Sequence, residues 1–240
     1  SEADPARDQV LMAEVAAEAG YTNHHKQKLV LIFSAMRHFA AELEEAGWCV
    51  HYHRFDPESE YRDLGQVVRA TAESTGAGQV VATECGEWRL HESMHQWELP
   101  VPLTVSPDNR FFATVERFQQ WTRNRRQWRM EYFYRELRRE TGLLMDAAGQ
   151  PEGGEWNLDA SNRRKWKGDP PAPPPFRVEP DATTRAVITE VESHLGAHIG
   201  TTDSFGWAVT RDDALKALEH FLTYRLPWFG DFQDAMADDE

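Results

Sequence analysis

Short runs suited to extended backbone alternate with amphipathic helical stretches from Gln9 to Val105, and this limits the fold more than any other feature of the sequence. Residues 9–15 read as a short buried strand. Leu29, Ile32, Phe33, Met36, Phe39, Ala40 and Leu43 then recur at the i, i+3, i+4, i+7 spacing of one helical face. Gly47 supplies the C-cap, residues 48–55 alternate as a strand, and Asp56-Pro57 turns the chain. A second amphipathic helix over 64–74 leads to a third strand at 79–84, a helix from Trp88 to Trp97, and a short strand at 101–105. Pro102 suits an edge or a strand start. Such alternation with tight connections predicts an α/β fold with a doubly wound, mostly parallel sheet.

Beyond Asp108 the pattern turns helical, with helices expected over 114–124, 130–141, 183–195 and 212–222. Asp169-Pro170-Pro171-Ala172-Pro173-Pro174-Pro175 reads as a semi-rigid linker, in part polyproline II. The expected division is an α/β domain over 1–108, helices and a Pro-rich connector over 109–180, and further helices over 181–240. Ser1-Glu2-Ala3-Asp4 and the acidic tail both read as cut ends.

The formal net charge of −14 argues against nonspecific nucleic-acid binding by the chain as a whole. Yet Arg110, Arg117, Arg123, Arg125, Arg126, Arg129, Arg135, Arg138 and Arg139 stand among only Glu116, Glu131 and Glu136. The longest uninterrupted apolar run, Leu29 to Phe33, is too short to span a bilayer, and no signal peptide is evident. Cys49 and Cys85 are isolated, without zinc or disulfide spacing, so the expected compartment is the cytoplasm.

Several stretches are candidates for chemistry. His24, His25, Lys26 and Lys28 put positive charge in a first helical turn after Asn23, the expected N-cap, where the helix dipole favours negative charge. The turn fits either an anion or ligand carbonyl, or a solvated basic face. Glu14 and Glu18, near the end of the first strand, could receive ring N–H groups of a heterocycle, or be surface acids. His51 and His53 share a strand face without a third metal ligand nearby. Residues 121–139 mix aromatics with arginines, which suits phosphate contacts and stacking, or docking on a neighbouring domain with Glu131 and Arg135 paired. No Gly-rich phosphate loop, nucleophile–base pair, carboxylate dyad or metal-ligand spacing stands out, so no catalytic residue or metal ligand is expected in this stretch.

A resemblance covers the whole chain. Tyr21-Thr22-Asn23-His24-His25-Lys26-Gln27-Lys28, Ile32-Phe33-Ser34-Ala35-Met36-Arg37-His38-Phe39, Thr83-Glu84-Cys85-Gly86-Glu87-Trp88-Arg89 and Met130-Glu131-Tyr132-Phe133-Tyr134-Arg135-Glu136 carry it. So do Thr141-Gly142-Leu143-Leu144-Met145, Gly153-Gly154-Glu155-Trp156-Asn157, Phe205-Gly206-Trp207-Ala208-Val209-Thr210-Arg211 and Gln233-Asp234-Ala235-Met236. In this order they resemble the N-terminal region of the bacterial deoxyribodipyrimidine photolyase-related proteins, the iron–sulfur bacterial cryptochromes and (6-4) photolyases.

The resemblance implies a Rossmann-like antenna domain whose first strand is missing before Ser1, joined to a helical domain holding FAD, a [4Fe-4S] cluster and the DNA lesion pocket beyond Glu240. It implies 6,7-dimethyl-8-ribityllumazine as antenna, with Glu18, Tyr21 and Ile32 at the positions of the family's antenna-binding residues. Ala13 stands where some lumazine-binding relatives carry Cys. The implied function is light-dependent repair of a UV pyrimidine lesion in DNA, with the chain's own C-terminal FAD-binding domain as partner, no membrane, and no repair by the 240-residue piece alone. A light-sensing cryptochrome, or a stand-alone α/β module for a flavin-like or nucleotide ligand, are the alternatives. Arg135, Arg138 and Arg139 are expected at the interdomain contact.

Overall fold

A computed structural model describes residues 3–162, 164–233 and 235. Ser1-Glu2 and the acidic tail from Asp234 on, Ala235 apart, lie outside the described residues. The chain is built of helices and short parallel strands, an α/β fold, and it divides into two compact units.

The first unit comprises Ser1–Val80, Glu92–Leu103 and Pro173–Arg225. Its strands β1 (Gln9–Ala13) and β2 (Cys49–His53) pair in parallel, from Gln9 opposite Cys49 to Ala13 opposite His53. Between them run α1 (Ala16–Gly20) and the long α2 (Lys26–Glu45). The cap of α2 is His25, whose Nδ1 accepts from the backbone N–H of Gln27 at 3.1 Å. Asn23, expected in that role, has its carbonyl oxygen committed elsewhere, to the backbone N–H of Ile199 at 3.1 Å. Helix α3 (Leu64–Thr75) opens on Asp63, which accepts from Gln66 N–H, and stops at Gly76 in the left-handed conformation.

Later in the chain, α7 (Ala182–His194) and α8 (Arg211–Tyr224) join the same unit. Helix α7 packs along α2, and Leu29, Val30 and Phe33 meet Val187, Val191 and Phe205 in the main apolar cluster. Each such side chain contributes about 1.5–3 kcal/mol on burial. Helix α8 differs: Leu215, Leu218 and Leu222 on its apolar face are about half exposed.

The second unit comprises Val81–His91, Thr104–Ala172 and Leu226–Glu240. Strands β3 (Val80–Thr83) and β4 (Leu103–Ser106) pair with each other, so the described strands form two pairs. Helix α4 (Trp88–His95) follows β3; α5 (Val115–Thr122), α6 (Met130–Thr141) and α9 (Leu226–Phe232) complete the inventory. Trp121 and Phe133 pack with ring centroids 5.1 Å apart, and Phe118 meets Phe133 edge-on. Among the described residues, no helix is long and apolar enough to cross a membrane.

Candidate functional site

Glu14, directly after β1, is 2% exposed and meets four donors. Arg37 of α2 binds it bidentately through Nε and Nη2, both at 2.8 Å. Tyr52 Oη–H donates at 2.5 Å and the Phe55 backbone N–H at 2.8 Å. Two carboxylate oxygens accept about four hydrogen bonds, so nothing remains for the ring N–H of a ligand. The expectation that Glu14 receives a heterocycle is therefore corrected: it is a buried clamp. The other edge of Arg37 reaches Glu190 of α7 at 3.0 and 2.5 Å, tying the strand ends, α2 and α7 together. Burial acts against the Arg37 charge, but Glu14 and then Glu190 outweigh it and raise its pKa. Burial and then the Glu14 carboxylate push the Tyr52 phenol up.

The basic first turn is divided: His24 is buried and Lys26 half-buried, while His25 and Lys28 stay exposed, and the turn docks on the end of α7 and the segment that follows it. Lys26 Nζ pairs with Glu192 at 2.8 Å, and its backbone N–H donates to the Ile199 carbonyl at 2.9 Å. Gln27 reaches Ser204 and accepts from the Trp207 indole N–H at 3.1 Å. A Cβ on Gly200 (φ 80°) would lie 1.9 Å from His25 Nε2, so only glycine allows this approach.

His24 is the buried member, 6% exposed. Lys28 Nζ lies 3.1 Å from its Nδ1, the Glu18 backbone accepts from the ring, and His198 stacks on it with centroids 6.3 Å apart. Burial, then the Lys28 charge, lower the His24 pKa, and the neutral ring leaves Nδ1 free to accept from the ammonium.

Two of the three residues expected to hold an antenna, Glu18 and Tyr21, adjoin this histidine. Tyr21 meets the His24 ring edge-on at 4.8 Å and is 47% exposed. Ile32 lies one turn beyond Lys28 on α2 and is 40% exposed, while Glu18 on α1 is half-buried. Tyr21, His24, Lys28 and Ile32 thus follow one another along one edge of the α2 entry. His198 and Glu190 were not legible as partners, since their contacts span long sequence separations without a local motif. Of the strand histidines, His51 meets Gln9 at 2.6 Å and His53 meets Ser59 at 3.3 Å. No group of three or more His, Cys, Asp or Glu among the described residues could hold a metal ion.

In the second unit the arginines divide. Arg117 pairs with Glu136 and Glu140, and Arg125 with Glu136 at 2.6 Å while lying 4.6 Å over the Trp121 ring. Arg135, Arg138 and Arg139, expected at an interdomain contact, converge on Trp156, with guanidinium carbons 5.4, 5.3 and 4.6 Å from its centroid. Arg138 also donates to the Leu143 and Leu144 carbonyls, and Arg135 pairs with Glu131.

Residues 1–207 match the family described as deoxyribodipyrimidine photo-lyase-related protein, and the chain belongs to it. It is 41% identical over 240 residues to a (6-4) photolyase of Agrobacterium fabrum (strain C58), covering 99% of this chain and 47% of that protein. The chain thus spans about half the length of the curated relative it matches.

Proposed function

We propose that this chain is the antenna-chromophore region of a light-dependent DNA photolyase, a carbon–carbon lyase that repairs a UV pyrimidine lesion, the (6-4) photoproduct. The observation that carries the repair reading is the likeness to a (6-4) photolyase along nearly the whole chain. The finer fold expectation, a photolyase-type doubly wound sheet, belongs to the same proposal. So does the division into an antenna domain over 1–108, a connector over 109–180 and the first helices of a FAD-binding domain over 181–240. The half-exposed leucines of α8 offer that helical domain an apolar face. FAD and a [4Fe-4S] cluster are assigned beyond Glu240, in the cytoplasmic parent protein, and this stretch alone does not repair DNA.

The residues at the α2 entry fit 6,7-dimethyl-8-ribityllumazine, a flat heterocycle with polar edges. Half-exposed Tyr21 offers an aromatic face, half-exposed Ile32 an aliphatic one, and the Glu18 carboxylate an acceptor. When bound, this group supplies absorption of blue light. The chain's own part is to bind and orient: Glu18 accepts a polar edge, and Tyr21 and Ile32 exclude water from the ring faces. The His24–Lys28 contact holds Tyr21 in place.

Titrating the complete protein with 6,7-dimethyl-8-ribityllumazine, followed by ligand fluorescence, tests the site. Saturable binding is expected, and Ile32→Trp should abolish it; equal binding by both proteins would remove Glu18, Tyr21 and Ile32 as the site. Blue-light reversal of a (6-4) lesion in an oligonucleotide tests the repair reading separately.

A further inference from the structure

The connector between α5 and α6 carries Arg123, Arg125, Arg126 and Arg129 with no acid between them. All four are exposed, and Trp128 beside them is 65% exposed. Elsewhere in the unit, arginines find partners: Arg110 with Asp108, Arg117 with Glu136 and Glu140, Arg135 with Glu131. Among the described residues, Arg123, Arg126 and Arg129 have no side-chain hydrogen bond, ion pair or ring contact. Beside them opens a groove of about 480 Å³ lined by Arg117, Gln120, Trp121, Asn124, Arg125 and Glu136, whose two amides add hydrogen-bond donors.

We infer that this connector is a contact surface for the phosphodiester backbone of DNA, with Arg123, Arg126 and Arg129 on phosphates and Trp128 stacking on an unpaired base. The inference rests on the photolyase reading for its choice of polyanion and deepens it by naming where this half of the protein touches DNA. The net charge of −14 does not forbid it. At physiological salt the Debye length is about 8 Å, so distant acids are screened while the local arginines act in full. Unpaired guanidiniums avoid the cost of breaking an existing pair, and each phosphate contact releases condensed counterions. An exposed indole among arginines fits the stacking platform of nucleic-acid surfaces better than an acidic protein partner, which offers no base.

The test compares the complete protein with Arg123→Gln/Arg126→Gln/Arg129→Gln, measuring affinity for undamaged and lesion-bearing DNA over a salt series. A control, Arg7→Gln/Arg62→Gln/Arg69→Gln, removes the same charge from the other unit. The connector variant should bind both DNAs about tenfold more weakly at low salt, with the log–log salt slope lowered by about 2–3. The control should keep the parental slope. Trp128→Ala should weaken single-stranded DNA more than duplex. An unchanged slope in the connector variant, an equal fall in the control, or loss of polyglutamate binding in place of DNA binding would each overturn the inference. A parent that binds DNA but reverses no lesion under light overturns the repair reading alone. A repairing parent whose slope is untouched by the connector substitutions overturns this surface alone.

Discussion

Arginine braces each of the two units from within, and does so in opposite ways. In the first, Arg37 is 7% exposed and lies between two carboxylates over an apolar core. In the second, Arg135, Arg138 and Arg139 crowd one indole; Arg138 is buried too, on the Leu143 and Leu144 carbonyls, whereas Arg135 is half-buried and Arg139 exposed. A buried guanidinium is committed, because its partner cannot return to water when it goes. A guanidinium over a ring face shares a weaker attraction with its neighbours and is readily replaced. The contrast predicts a first unit that fails abruptly when one pair is broken and a second that yields by increments.

The largest expected effect is from Arg37→Met. It leaves the Glu14 carboxylate buried with only Tyr52 and Phe55 N–H, and should cost about 3–5 kcal/mol in urea unfolding. Adding Glu14→Gln should recover part of that loss, whereas Arg139→Met should cost about 1 kcal/mol or less. Equal costs for Arg37→Met and Arg139→Met would erase the contrast.

Next is Gly200→Ala. Its Cβ meets the His25 ring and the residue keeps φ 80°, so clash and strain together should cost about 2–4 kcal/mol. Gly149→Ala in the second unit, at φ 71° with open space around the new carbon, should cost only about 1–2 kcal/mol. Paired thermal melts would check the difference; equal shifts would mean that the turn around Gly200 opens freely.

Trp156→Ala should be milder still, about 1–2 kcal/mol, because three half-satisfied contacts are lost together. Hydrogen exchange should quicken at the end of α6 and through residues 142–156 and leave α2 unchanged. Faster exchange in α2 would show that the units are not energetically separate.

What the sequence revealed follows the same division between local and distant causes. Helix α6 is bounded where its pattern and Gly142 predict, because both signals lie within the helix. The five-residue α1 escaped notice, being too short for apolar residues to recur at i, i+3, i+4 and i+7. Asn23 looked like a cap because only local competition was visible; its true partner, Ile199, is far along the chain. Glu14 and the His24–Lys28 turn stood out as unusual in charge, yet what satisfies them comes from Arg37, Tyr52 and Phe55 for the one and from residues 192–207 for the other. Local chemistry marked these positions; only the fold supplied their partners.

The smallest effect expected is one of pH. The His24 pKa is below the ordinary 6.5, first through burial and then through Lys28. As pH falls past that value the unfolded chain takes up the proton before the folded one does, so stability is fully present above it and is lost as pH drops toward the folded pKa. Groups facing the ring act on the same window: Lys28 opposes its charging, the Glu18 backbone favours it, and His198 opposes it weakly. His24→Gln keeps an acceptor for Lys28 and removes the titration. Its melting temperature should therefore fall less than the parent's between about pH 7.5 and about pH 5.5. The carboxylates Asp181 and Glu192, whose pKa values lie below ordinary, keep their contributions in this range and lose them only in stronger acid. Identical melting curves for His24→Gln and parent across that interval would mean that the ring does not stay neutral in the fold. The buried His24 ring would then tolerate charge as readily as the arginines around Trp156.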